Sequence, residues 1–200
     1  MDTLFYKTVR PIVKGLIYIL FRPKVEGVEN IPKTGPLVLA GNHTKWLDPV
    51  MLVGVTGKRQ VHFLAKIELF SGITKPIVKG MGAIPVNRKI HDKGALSSAI
   101  DALNNGECIG IFPEGTINRT EDVIMPFKMG AVKMSHETNA NLVPFIITGK
   151  YKLFRKSLTV KFMEPIKIGE NLEEENERLM SIIREELVRS EVKNGNKKER

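Results

Sequence analysis

Two hundred residues, 42% of them hydrophobic, suffice for one domain with a buried core and exclude a disordered chain or a fibre. The formal charge of +9 is carried by the first 170 residues, since acids and bases nearly cancel in the last thirty; it favours an anionic partner, whether a membrane surface, a phosphorylated substrate, an acidic carrier protein or nucleic acid. A lone cysteine, Cys108, excludes an intrachain disulfide and suits a reducing compartment, and no run reaches the roughly 18 apolar residues of a membrane span.

Residues 4 to 21 (LFYKTVRPIVKGLIYILF) lack the small-residue cleavage site of a signal peptide. At 100° per residue, Phe5, Val9, Ile12, Val13, Leu16 and Leu20 share one face, with Lys7, Arg10, Lys14 and Tyr18 opposite. This is an amphipathic helix with a cationic side. It suits either a bilayer interface or a place on the protein's own core, and Pro11 should kink it or start a second short helix. Strands are predicted over 24–28, 37–40, 61–65, 83–86, 109–112, 142–148 and 158–162, and helices over 49–55, 74–80, 92–104, 131–138 and 172–192. Asn171, with Glu174 three residues on, caps the last helix, which runs into the polar tail NGNKKER.

Alternation of this kind predicts an α/β fold: a single layered domain, with a largely parallel or mixed sheet flanked by helices, plus the N-terminal amphipathic helix. The expected divisions are 1–23 (membrane-associating), 24–192 (the domain) and 193–200 (the tail). Ligands of such sheets bind where strands end and helices begin.

Four segments sit at such ends. NHTKWLDP follows the strand PLVLA and offers His43 as a base with Asp48 as its orienter. The same Asp48-Pro49 also reads as a plain helix cap with proline at the first helical position. FPEGT puts Glu114 and Gly115 beyond CIGIF: a carboxylate projected into the crevice beside a glycine that lets a ligand approach, or an ordinary turn. GAIPVNR empties into Arg88, whose fork suits a phosphate monoester, although a solvated arginine is equally ordinary. Lys128 and Gly130 precede a helix and can help hold an anion or simply form its entry. Trp46 is either core or lipid-facing. His43, His62, His91 and His136 lack metal spacing, and His62, in an apolar strand, reads as packed. No serine elbow, Walker A loop or dinucleotide fingerprint is present.

In their order, NHTKWLDP at 42, GAIPVNR at 82, FPEGT at 112 and LVPFIITG at 142 resemble the four blocks of the glycerolipid acyltransferase family, especially its bacterial 1-acyl-glycerol-3-phosphate acyltransferases, over roughly residues 25 to 165. The resemblance implies that His43 and Asp48 are the catalytic pair. Arg88, Glu114, Gly115 and Thr116 fall on positions that bind the acyl acceptor and its phosphate, and Pro144 falls in the block linked to the acyl chain or to structure; Lys128, read from its own place before a helix, joins Arg88 as a candidate for the phosphate. Lys45 stands where relatives often carry serine. Ile117 and Asn118 stand where they often carry arginine and serine, with Arg119 nearby at a different offset; these departures bear on acceptor identity.

The implied reaction moves a fatty acyl group from a thioester of coenzyme A or acyl carrier protein to the free hydroxyl of 1-acyl-glycerol-3-phosphate, making phosphatidic acid for phospholipid synthesis, with no other cofactor and no nucleic acid. The implied location is the cytoplasmic face of the cell membrane, peripheral or monotopic. Three other readings compete: an acyltransferase for another lysophospholipid or glycerol-3-phosphate, a non-catalytic module binding anionic membrane or nucleic acid, and a lipid hydrolase.

Overall fold

A computed structural model of the chain describes residues 4–57, 59–87 and 92–195. Seven strands, β1 (Lys24–Glu26), β2 (Leu37–Gly41), β3 (Val61–Lys66), β4 (Ile84–Val86), β5 (Cys108–Ile111), β6 (Asn141–Gly149) and β7 (Leu158–Phe162), form one sheet in the order β1-β7-β6-β2-β5-β3-β4. From β6 to β4 every neighbouring pair is parallel; β7 runs antiparallel to β6, and β1 runs parallel to β7. The helices are α1 (Leu4–Leu20), α2 (Asp48–Val55), α3 (Lys75–Gly80), α4 (Lys93–Asn104), α5 (Gly130–Glu137) and α6 (Leu172–Gly195).

β2, at the centre, explains the architecture. All five of its residues are buried, because a parallel strand covered on both faces must be apolar on both. Leu37 and Leu39 enter a core with Met51 and Leu52 of α2 and Ile17 of α1. Val38 and Ala40 enter a second core with Leu103 of α4, Val132 of α5 and Leu179 of α6. The alternation of side chains along one strand thus assigns α1 and α2 to one face and α4, α5 and α6 to the other.

α1 differs from the helix predicted. It is one continuous helix through Pro11, not split there into a second helix, and only one edge of its apolar face packs on the core. Tyr6 and Ile17 are buried, with Val13 and Leu20 packed beside them, while Ile12, Leu16 and Ile19 remain 59%, 51% and 61% exposed. One apolar face is therefore shared between an inward stripe and an adjoining outward one. Gly54 of α2 permits the contact, since a Cβ there would lie 2.6 Å from Ile17 Cδ1. α6 continues to Gly195, past the expected end at residue 192; the rest of the predicted tail lies outside the described residues.

A second close approach leads toward the site. A Cβ on Gly110 of β5 would lie 2.3 Å from Phe63 Cε1, and the Phe63 ring stacks at 6.1 Å on Phe112. Gly110→Ala should therefore cost about 1–3 kcal/mol as overpacking and displace the ring series that supports His43. Urea denaturation checks the first effect; an unchanged midpoint would show that the Phe63 ring yields freely.

Candidate active site

β2 ends at Gly41, and the chain then enters the loop of the first sequence block. Asn42 anchors it: its amide donates to the Ile147 carbonyl (2.9 Å) and accepts from the Ile147 N–H (2.8 Å), continuing the pairing with β6 through a side chain. His43 follows. Its backbone N–H donates to Glu114 Oε1 (2.8 Å), its carbonyl accepts from Asn118 N–H (2.9 Å), and its ring stacks on Phe112 at 4.1 Å and 17°. The imidazole is thus fixed at its backbone and on one ring face.

His43 Nδ1 lies 2.9 Å from Asp48 Oδ2. A carboxylate cannot donate, so Nδ1 carries the hydrogen and the lone pair of the neutral ring is on Nε2. Nε2 has no hydrogen-bond partner among the described residues, and the His43 side chain keeps 10% of its surface exposed. Asp48 is fully buried and opens α2, yet it makes no capping bond to that helix. Its side chain turns back into the loop, accepting from the N–H groups of Thr44 (2.6 Å) and Lys45 (2.8 Å), from Thr44 Oγ1 (3.3 Å) and from the Tyr151 hydroxyl (2.6 Å). The Asp48 side chain is thus directed at His43 and its loop, and does not cap α2.

Tyr151 escaped the sequence reading. It lies beyond β6 in a run of lysines, where nothing local marks it; only the fold brings it to a residue 103 positions earlier. Burial foremost, and then the charge of Asp48, pushes the Tyr151 hydroxyl far above its usual range, so it remains a donor. Cys108, buried in β5, is likewise pushed up to about 12 by burial, which leaves it a thiol and no nucleophile.

Glu114 requires a correction. In place of a charge projected into the crevice, its side chain is turned inward, 3% exposed, with Oε1 on His43 N–H and Oε2 on Met125 N–H (3.0 Å). It ties the His43 loop to the segment between β5 and α5. Burial raises its carboxyl above the ordinary 4.5, against the pull of those two amides. A carboxyl raised by folding stabilises the fold while protonated, so that contribution is present below pH 4.5 and fades as the pH climbs through the folded value. Glu114→Gln should abolish this dependence and cost about 1–3 kcal/mol, because its NH2 faces a backbone N–H where a carboxylate oxygen accepted. Thermal melts across the acid range test both parts, and an unshifted melt would remove the bracing role.

Gly115 has φ +72°, which favours glycine, and the space beside it is taken by Lys128: a Cβ would lie 2.9 Å from Nζ. Lys128 Nζ therefore lies over the FPEGT turn, with no carboxylate partner among the described residues. Thr116 is exposed at the same turn. Arg88 lies outside the described residues. Its flanks are defined, since Asn87 N–H donates to Asp92 Oδ2 (2.8 Å) while Asp92 Oδ1 caps α4 through Ala95 N–H (3.0 Å). These amides, Asn87 first, hold the Asp92 carboxyl below the usual range. His62 is packed as expected, with Nδ1 2.7 Å from the Gly82 carbonyl and Nε2 3.2 Å from Glu107. Trp46, 72% exposed, is not core.

Comparison with known proteins gives three findings. The sequence profile described as Acyltransferase matches residues 22–148. The 1-acyl-sn-glycerol-3-phosphate acyltransferase of Bacillus subtilis is 35% identical over 156 residues, 76% of each chain; that of Borreliella burgdorferi is 33% identical over 179 residues, 82% of this chain and 70% of the relative. The crystal structure of the 1-acyl-sn-glycerophosphate acyltransferase of Thermotoga maritima superimposes with a TM-score of 0.74 at 21% identity, covering 93% of this chain and 81% of that one, a likeness of fold.

Proposed function

The chain belongs to the acyltransferase family, and from that premise we propose that it transfers a fatty acyl group from a thioester to the free hydroxyl of 1-acyl-sn-glycerol-3-phosphate, making phosphatidic acid. The observation that carries the chemistry is the His43–Asp48 pair at 2.9 Å, with Nδ1 engaged and Nε2 free to accept a proton. His43 Nε2 takes the hydrogen of the acceptor hydroxyl as its oxygen attacks the thioester carbonyl; the imidazolium is stabilised by Asp48. The tetrahedral intermediate collapses, the C–S bond breaks, and the proton passes from Nε2 to the departing thiolate. Atoms balance as one ester and one free thiol, and no side chain is acylated. Coenzyme A or acyl carrier protein supplies the thioester, and the reaction as written uses no other cofactor.

Arg88 and Lys128 are the residues we assign to the acceptor phosphate. Lys128 is supported by its position over the turn that follows β5, while Arg88, outside the described residues, rests on the resemblance of GAIPVNR to the family's block. Gly115 and Thr116 complete that turn, and Glu114 serves it from beneath.

Among the described residues no helix is long and apolar enough to cross a membrane. We assign the protein to the cytoplasmic face of the cell membrane, held peripherally; support comes from the outward stripe of α1, with Lys7 and Lys14 on the same exposed helix.

The test is mass spectrometry of lipids formed from lysophosphatidate and acyl thioesters. Phosphatidic acid with stoichiometric thiol supports the reading. Free fatty acid formed without acceptor would make the protein a hydrolase, and product from another lysophospholipid or glycerol-3-phosphate alone would replace the acceptor.

A further inference from the structure

The loop between β6 and β7 carries the sequence KYKLFRK over residues 150–156. Four of its seven residues are cations, Lys150, Lys152, Arg155 and Lys156, all exposed and without a carboxylate partner among the described residues. Between them stand Leu153 and Phe154, each 58% exposed. A mobile surface turn would place neither residue type deliberately, but this turn is held. Phe154 adopts φ +58°, a left-handed conformation unfavourable for an aromatic residue, and its N–H donates to the Leu20 carbonyl at the end of α1 (2.5 Å). Tyr151 of the same loop packs edge-on against Phe21, with ring centroids 5.3 Å apart.

We propose that Lys150–Lys156 is a second lipid-surface contact, which works with α1 to dock the protein on anionic membranes. The proposal rests on the peripheral-membrane reading above and extends it. One weak apolar element gives marginal, reversible membrane binding, and stable attachment takes two signals. α1 provides Ile12, Leu16 and Ile19; the loop provides exposed Leu153 and Phe154 flanked in sequence by exposed cations, the combination of apolar and positive groups that an anionic headgroup layer accepts. An acidic carrier protein also favours cations, but the loop is bonded to the end of the helix bearing the other exposed apolar stripe, and a carrier has no need of that stripe. Docking also reaches the reaction centre: the loop that meets lipid contains Tyr151, whose hydroxyl donates to Asp48. Surface attachment and orientation of the catalytic pair therefore share one loop.

The experiment uses the full chain with two double variants, Leu153→Ser/Phe154→Ser and Lys152→Glu/Arg155→Glu. Binding is measured by co-sedimentation with phosphatidylglycerol and with phosphatidylcholine vesicles, and turnover with a water-soluble, short-chain lysophosphatidate. Each variant should bind phosphatidylglycerol vesicles about tenfold or more weakly, and the charge reversal should also erase the preference over phosphatidylcholine. Turnover of the soluble acceptor should remain near that of the unmodified chain, since none of the four residues touches the catalytic pair. Unchanged vesicle binding in both variants overturns the proposal. So does a charge reversal that spares vesicle binding but raises KM for an acyl carrier protein thioester, which would make the loop a protein contact. If the unmodified chain turned over no soluble acceptor, the acyl-transfer reading would fail while the vesicle result still decided the docking role.

Discussion

Replacing His43 by alanine should lower acyl transfer by a factor of about 10² to 10⁴ and leave the domain folded. The rate falls because no other described group can take the hydroxyl proton at that place: Asp48 is spent on five donors, Glu114 on two backbone amides, and Cys108 is a buried thiol. The fold persists because what anchors His43 is its backbone. Its N–H bond to Glu114 and its carbonyl bond from Asn118 are available to alanine. The ring contributes its stack on Phe112, a loss of about 0.5–1.5 kcal/mol beyond area, which shows as a modest drop in melting temperature. Steady-state thiol release beside a thermal melt checks both halves. A purified variant with near-normal turnover would remove His43 as the base.

Much of this site can be read from the chain alone, and the part that cannot has a common cause. Among the described residues, the seven strands and six α-helices fall within a few residues of their sequence-predicted places, because buried parallel strands such as PLVLA are apolar on both faces and the helices are bounded by residues such as Asp92 and Asn171. His43 and Asp48 lie five positions apart, so one loop brings them together. Tyr151, Asn42 and the direction of Glu114 depend on which strands become neighbours. β6 lies beside β2 although a hundred residues separate them, and only that adjacency aims Tyr151 at Asp48 and seats Asn42 on Ile147. α1 shows the same limit within a helix: its period marks apolar residues correctly, but the division into an inward and an outward stripe is decided by the position of α2.

Asp48 separates charge from geometry, and two substitutions should divide its role. In Asp48→Asn, the amide oxygen can take the place of Oδ2, still accepting from His43 Nδ1, Thr44 N–H and Lys45 N–H, while the NH2 takes the place of Oδ1 and meets a Tyr151 hydroxyl able to rotate and accept. The loop and the tautomer survive; the negative charge that stabilises the imidazolium does not. Exchanging a hydrogen bond to a charged acceptor (about 1.5–3 kcal/mol) for one to a neutral acceptor (about 0.5–1.5 kcal/mol) forfeits about 1–2 kcal/mol, so turnover should fall by roughly 5- to 30-fold with stability little altered. Asp48→Ala removes the acceptor entirely. It strands the Thr44 and Lys45 amides and the Tyr151 hydroxyl around a fully buried position, adding a stability loss of about 2–5 kcal/mol to a larger loss of rate. Chemical denaturation with steady-state kinetics on both variants resolves the two effects. A wild-type rate in Asp48→Asn would show that the charge is idle, and equal destabilisation of the two variants would show that the donors around Asp48 hold the loop only when the carboxylate is ionised.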